Sequence, residues 1–261
     1  LSSFAGAKRR FESVYLSPRF HVIDDYGHHP TEITATLQTA RSLEPNRIVA
    51  LFQPHRYSRT ERLAAEFGKA LQGADLVFVT GIYAASENPI EGISGMTILE
   101  AVEKYGSTKC VYHEDLSTVH HVVGNALKAG DLLLTLGAGN VHEAGKRISA
   151  DLQLVDLLKG EFAESDIDIK LYESMRRHTT MLVGGPAQFW IEPRTFSAFA
   201  GAVNFFKERG VPVRVVGRGS NLLVRDGGIR GAVIHPSKGE FGDLRVRGNL
   251  LTAGAGVRFK K

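Results

Sequence analysis

From Phe20 to Lys159 the chain alternates short, nearly all-apolar β-rich runs with segments of helical period. No other feature limits the possible folds as much. The runs predict strands at Phe20–Asp25, Arg47–Phe52, Asp75–Thr80, Cys110–His113 and Asp131–Leu136. Between them the apolar spacing predicts helices at Pro30–Ser42, Thr60–Leu71, Thr97–Lys104, Leu116–Lys128 and Val141–Leu158. Pro30 opens the first helix, where its missing N–H is harmless, and Gly106 and Gly130 sit where helices should stop. A strand with no polar face must be covered on both sides, so the expected fold class is α/β with a mostly parallel sheet between helices. Ligands bind such sheets beyond the carboxyl ends of the strands. Polar clusters fall at those places: residues 24–29, 53–60, 81–83 and 137–140.

After about residue 150 the texture changes. Residues 1–150 carry 15 Lys and Arg against 16 Asp and Glu, residues 151–175 carry 2 against 7, and residues 176–261 carry 15 against 5. Such shifts mark a boundary, with residues 151–171 expected as a helix tail and acidic linker. Beyond it Thr180–Glu192 reads as strand–turn–strand, Thr195–Arg209 as a helix, and Val213–Gly217, Leu222–Val224, Ala232–Ile234 and Leu250–Ala253 as short strands: an α+β region. Its positive charge fits either a solvated cationic surface or a site for an anionic ligand. The one cysteine, Cys110, excludes an internal disulfide and suits a reducing cytosol. No apolar run reaches the roughly 20 residues needed to cross a bilayer, so no membrane insertion is expected, and Leu1 in place of Met suggests a fragment.

The motifs carry unequal weight. Gly139 to Gly145-Lys146 misses the phosphate loop of nucleoside triphosphatases by one residue and has Arg147 where Ser or Thr is required. His28-His29 and His120-His121 are adjacent pairs that cannot converge on one ion, and no Cys-x-x-Cys accompanies them, so no metal site is expected. Gly217-Arg218-Gly219-Ser220-Asn221 offers backbone N–H groups, a hydroxyl, an amide and a cation together, a set suited to pyrophosphate. Arg56 and Arg59, three apart at a helix start, are either a solvated terminus or a pair of forks for an anion. The proximity of Asp25 and His28 in the same edge cluster favours the second.

These runs resemble known families. Asp24-Asp25-Tyr26-Gly27-His28-His29-Pro30-Thr31-Glu32, Phe52 to Thr60, Tyr83 to Gly92 and Gly137-Ala138-Gly139-Asn140 are similar to the C-terminal domain of the UDP-N-acetylmuramate–L-alanine ligase family. Gly6–Phe11, with Arg9-Arg10-Phe11, looks like the end of that family's central ATPase domain. His178-Thr179-Thr180, Gly184-Gly185-Pro186-Ala187, Gly217 to Leu223, Asp226 to Gly231 and Gly254-Ala255-Gly256 resemble the N-terminal FAD-binding region of the UDP-N-acetylenolpyruvoylglucosamine reductase family.

The resemblance implies residues 1–12 as the end of a central domain, 13–150 as a Rossmann-like ligase domain, 151–171 as linker and 172–261 as a partial FAD-binding domain. It implies ATP with Mg²⁺ on the ligase side, where Arg10 would reach ATP phosphate, Asp25 would accept from ribose hydroxyls, and His28, His55, Arg56 and Arg59 would line the L-alanine and acyl-phosphate side of UDP-N-acetylmuramate. On the reductase side it implies FAD and NADPH, with Gly217, Arg218, Gly219, Ser220 and Asn221 cradling the flavin pyrophosphate and Thr180, Gly184, Gly185, Gly254, Ala255 and Gly256 close by. UDP-N-acetylenolpyruvoylglucosamine would be the substrate there. On the same grounds both active sites extend beyond this sequence, turnover by it alone is expected to be slight, and the compartment is cytoplasmic. Two rivals stand beside this reading, besides a stand-alone scaffold without enzymatic ancestry, which the ordered motif series disfavours. One is a nucleic-acid- or anion-binding module, disfavoured because the basic region has no aromatic stacking series. The other is an erroneous join of two neighbouring genes.

Overall fold

The computed structural model describes residues 8–257. Residues 1–7, which include Gly6 and most of the expected 1–12 segment, and residues 258–261 lie outside the described residues. The chain divides into two compact units, Leu1–Gln153 and Leu154–Lys261.

In the first unit, the strands are β1 (Glu12–Leu16), β2 (Phe20–Asp25), β3 (Arg47–Phe52), β4 (Leu76–Val79), β5 (Lys109–Tyr112) and β6 (Asp131–Leu136). The helices are α1 (Pro30–Arg41), α2 (Tyr57–Arg62), α3 (Ala64–Ala70), α4 (Gly95–Tyr105), α5 (Val119–Ala126) and α6 (His142–Gly160). The sheet order is β1-β2-β6-β3-β4-β5. All neighbours are parallel except β1, which runs antiparallel to β2.

The expected mostly parallel α/β sheet is therefore present. All six residues of β6 are buried, and Leu132, Leu133, Leu134 and Leu136 are wholly so. Ile48, Ala50, Phe52, Val77, Val79 and Leu134 turn to one side, where they pack with residues of α1, α3 and α4 such as Ile33, Leu37, Phe67 and Ile98. Alternate residues point the other way, and there α6 lies so close to β6 that a Cβ on Gly145 would meet Thr135 at 2.8 Å. Truncating Phe67, which is 1% exposed and 5.3 Å from the Phe52 ring, would cost about 3–5 kcal/mol.

Two elements depart from expectation. Strand β1 was not foreseen: its sequence, Glu-Ser-Val-Tyr-Leu, lies at an edge, leaves three residues exposed and shifts register between Ser13 and Tyr15. The single helix expected at Thr60–Leu71 is instead two, α2 and α3, because Leu63 leaves the helical region at φ −113°, ψ 18°.

The second unit holds β7 (Ile167–Ser174), β8 (Pro186–Pro193), α7 (Phe196–Glu208), β9 (Val213–Val215) and β10 (Ile229–Ile234), followed by the hairpin β11 (Leu244–Arg247) and β12 (Leu250–Ala253). Its sheet order is β7-β8-β10-β9, with β7 antiparallel to β8 and the other pairs parallel. Residues 151–171, read as an acidic linker, are helix as far as Gly160 and strand from Ile167. The alternating burial of Ile167, Ile169 and Leu171 beside Asp168 and Lys170 explains the strand.

Two strand expectations fail here. Residues 180–185 do not form the first arm of a strand pair, since Thr179 Oγ1 donates to the Val183 carbonyl at 2.8 Å and Gly185 N–H donates to Arg225 O at 3.0 Å. Leu222–Val224 is not a strand either; Val224 is buried against Met175, Ala187 and Trp190 without joining the ladder. Among the described residues no helix is long and apolar enough to cross a membrane.

Candidate functional site

The first unit gathers its polar residues beyond the carboxyl ends of β2, β3, β4 and β6. After β2 the chain turns through Tyr26-Gly27-His28 into α1, which His29 and Glu32 cap reciprocally. Glu32 accepts from the N–H groups of His28 at 2.9 Å and His29 at 3.1 Å. Partial burial alone would raise the Glu32 carboxyl, but those N–H groups, with the charges of His28 and Arg10, hold it below the usual value. After β3, Arg56 takes a left-handed conformation (φ 72°), donates its N–H to Tyr83 O at 2.9 Å, and starts α2. His55 and Tyr83 form an isolated parallel bridge that extends the β3 and β4 edge.

These turns place four rings in a row. Tyr26 meets His28 edge-on at 5.4 Å, His28 lies 5.5 Å from His55, and His55 stacks on Tyr83 at 5.5 Å. Arg59 Nη1 approaches His55 Nδ1 at 3.4 Å. Burial, then the neighbouring His28, Arg59 and Arg56, pushes the His55 imidazole below its ordinary proton affinity. A neutral ring that accepts from Arg59 at Nδ1 carries its proton on Nε2 and serves as a hydrogen-bond donor there.

The predicted residues do not all act as their spacing suggested. Arg56 and Arg59 diverge: Arg59 turns to His55, whereas Arg56 pairs with Glu87 at 3.7 Å. Glu87 is itself held below the usual carboxylate range by the Ser58 hydroxyl and N–H. Arg10 is half exposed, 3.9 Å from Glu32 and over the Tyr26 ring at 5.8 Å. Asp25 is buried, and it accepts from Phe11 N–H and Gly27 N–H at 2.7 Å each and from Thr36 Oγ1 at 3.2 Å.

Two residues not singled out at first organise this edge. Arg9 bonds Asp24 through Nε at 2.8 Å, and its two Nη groups donate to the carbonyls of Gly139 at 3.0 Å and Gly137 at 2.7 Å. Gln53 donates to Asn140 Oδ1 and accepts from Val141 N–H, each at 3.1 Å. A Cβ on Gly139 would lie 2.3 Å from Gln53 Oε1 and 2.7 Å from the Tyr83 ring. Arg9 was visible only as one of two adjacent arginines, and nothing local distinguishes it from Arg10.

In the second unit a cavity of about 230 Å³ lies at the carboxyl end of β9 and β10, lined by Arg177, His178, Thr180, Gly217, Arg218 and His235 among others. The loop 217–221 is anchored beneath it. Gly219 has φ 64°, and a Cβ there would meet His178 O at 2.1 Å; the Gly219 and Ser220 carbonyls accept from Thr180 N–H and Oγ1, both at 3.4 Å. Among the described residues, none of the N–H groups from Gly217 through Asn221 donates to a protein acceptor. Thr180, Gly217 and Arg218 thus line one cavity.

Gly184, Gly185, Gly254, Ala255 and Gly256 are not among the residues that line this cavity. A Cβ on Gly185 would strike Asp226 O at 1.9 Å, so this glycine permits a close backbone approach. Gly254 and Gly256 donate their N–H groups to Asp243 O and Phe241 O, both at 2.8 Å, and Ala255 is an exposed turn residue between them.

The first unit is thus an open, mostly parallel α/β domain whose loops build a cationic, histidine-bearing edge at the strand ends. Residues 9–139 match the family described as "Mur ligase, glutamate ligase domain", and the chain belongs to the Mur ligase family. It is 44% identical over 153 residues to the UDP-N-acetylmuramate–L-alanine ligase of Desulforamulus reducens, covering 59% of this chain and 33% of that protein. It is 46% identical over 157 residues to the corresponding ligase of Mycobacterium sp. (strain JLS), covering 59% and 32%. Among solved structures, the UDP-N-acetylmuramate-alanine ligase MurC of Thermotoga maritima shares 33% identity over 57% of this chain and 31% of that one, with a TM-score of 0.48. The chain spans about a third of the length of these relatives.

Proposed function

We propose that the first unit is the C-terminal domain of an ATP-dependent ligase joining L-alanine to UDP-N-acetylmuramate, a step of peptidoglycan-precursor synthesis in the cytoplasm. The observation that carries this reading is the row Tyr26–His28–His55–Tyr83 with Arg59 on His55, at the strand-end edge of a Mur ligase domain. In the family's chemistry, ATP phosphorylates the muramate carboxylate and the amine of alanine displaces the phosphate. Half-exposed Arg10, tied only loosely to Glu32, would meet a phosphate oxygen. Asp25 has three internal donors and about four acceptor positions, so one remains for a ribose hydroxyl. The neutral His55 ring with His28, Arg56 and Arg59 would hold the alanine carboxylate and the charge that develops on the acyl phosphate. Among the described residues no group of three or more His, Cys, Asp or Glu could hold a metal ion.

For the second unit we infer a flavin-dependent reductase region in which the loop 217–221 seats the FAD pyrophosphate. NADPH would supply the electrons, and UDP-N-acetylenolpyruvoylglucosamine would receive them. The backbone N–H groups of residues 217–221, which have no protein acceptor among the described residues, and the Arg218 side chain support this reading. The two readings separate in the full-length protein. Arg59→Ala should lower kcat/KM for ligation by about 10²-fold or more and leave FAD content unchanged. Equal loss of both, or a full-length protein that stays colourless when supplied with FAD, would defeat the two-site reading.

A further inference from the structure

Behind the anion-facing wall of the second unit lies a carboxylate that the cradle itself does not require. Glu173, in β7, has a side chain only 5% exposed and accepts from His178 Nε2 at 3.0 Å. The His178 ring lies almost flat on the Trp190 indole, with centroids 3.8 Å apart and 26° between planes. With Nε2 committed to Glu173, Nδ1 is the polar atom left on the ring, and His178 is one of the residues that line the cavity.

The charged and titratable groups around His178 come from every neighbouring element. Glu173 lies on β7; Arg177, just before His178, is 3.7 Å from Glu173; His235 follows β10, 6.2 Å from the His178 ring; and Arg218 follows β9 on the cavity wall. His235 itself is tied to Val216 O through Nδ1 at 3.0 Å.

We propose that Glu173 is a positioning residue that couples oxyanion binding in this cavity to proton uptake by His178. When an oxyanion settles in the cavity beside Gly217 and Arg218, His178 takes one proton from solvent at Nδ1. The resulting imidazolium lies between two negative groups, the bound oxyanion and the buried Glu173 carboxylate, over an indole face that also favours a cation. Glu173 is the carboxylate that offsets the charge of Arg177, 3.7 Å away, next to this ring. The proposal rests on the anion-cradle reading of the loop but does not require the anion to be part of a flavin.

The test uses the whole chain and two probes, inorganic pyrophosphate and FAD, titrated calorimetrically in buffers of different ionisation enthalpy between pH 6 and 8.5. Pyrophosphate binding should take up close to one proton per site and weaken as pH rises. Glu173→Gln keeps an acceptor for Nε2 but removes the charge; it should weaken pyrophosphate about tenfold, as expected for loss of one adjacent opposite charge, and bring the proton uptake near zero. Uptake unchanged in Glu173→Gln, or absent in the wild type while pyrophosphate binds, overturns the proposal. Should Glu173→Gln fail to fold, nitrogen-15 spectra of the wild type decide: Nδ1 of His178 must gain a proton on adding pyrophosphate, and an unchanged Nδ1 refutes the coupling. Pyrophosphate bound with proton uptake while FAD fails to bind upholds the coupling and removes the flavin reading. FAD bound without either effect does the reverse, and failure of both probes defeats both.

Discussion

His55 and Tyr83 lie face to face, ring centroids 5.5 Å apart and planes 11° from parallel, although they follow different strands. The contact is secured from below by paired backbone hydrogen bonds, Tyr83 N–H to Pro54 O at 2.8 Å and Arg56 N–H to Tyr83 O at 2.9 Å. The loops after β3 and β4 therefore form one surface, and changes in either should be felt in both.

Gly139 is where a third loop closes on that surface. Gly139→Ala forces a methyl group into Gln53 and the Tyr83 ring, an overpacking expected to cost about 1–3 kcal/mol. The midpoint of urea unfolding should fall accordingly, and Tyr83→Ala in the same background should recover part of the loss. A variant as stable as wild type would mean that the loops move apart freely.

Arg9 should matter more than the exposed Arg10. Arg9→Met keeps the aliphatic stem but leaves Asp24, whose side chain is 5% exposed, with the Thr135 hydroxyl as its partner among the described residues, and removes the bonds to Gly137 and Gly139. Breaking a buried pair in this way costs about 3 kcal/mol or more. Arg10→Met should cost under about 1 kcal/mol, as for surface pairs. Equal effects in chemical denaturation would refute the distinction.

His120 sets an acid limit. Burial, followed by the charges of His121 and Arg147, pulls its imidazole down to about 4 from 6.5. Between those values the unfolded chain binds the extra proton and the folded chain does not, so stability should fall as pH drops from about 6.5 towards 4. Thermal midpoints across that range should decline for the wild type and decline less for His120→Gln. Parallel profiles would show that His120 has no part in it.

Cys110 should be silent to thiol reagents in the native state. Burial, with a smaller contribution from Glu103, pushes its thiol up to about 12, so almost no reactive thiolate exists near neutrality. Labelling should track opening of the first unit, while fluorescence of Trp190, the chain's one tryptophan, follows the second. Rapid labelling of the folded protein at pH 7.5 would contradict the burial.

Much of this was legible in one dimension. Runs such as Leu132–Leu136 admit no environment but a sheet covered on both faces, so the strands of the first unit and the polar clusters at their ends followed from local pattern. Strand β1 escaped because five mixed residues at a sheet edge carry almost no periodic signal, and β7 because its charged, outward-facing positions read as linker.

What the sequence alone determined is which residue types stand at the strand ends: His28, His55, Arg56, Arg59 and the glycine loops. Tertiary structure decided which of them meet. The strand order puts β6 between β2 and β3, and only that brings Arg9 to Gly137 and Gln53 to Asn140; folding of the second unit likewise places His178 on Trp190. Periodicity is a property of neighbours along the chain, whereas these contacts join distant segments whose approach depends on how buried faces are shared among strands and helices.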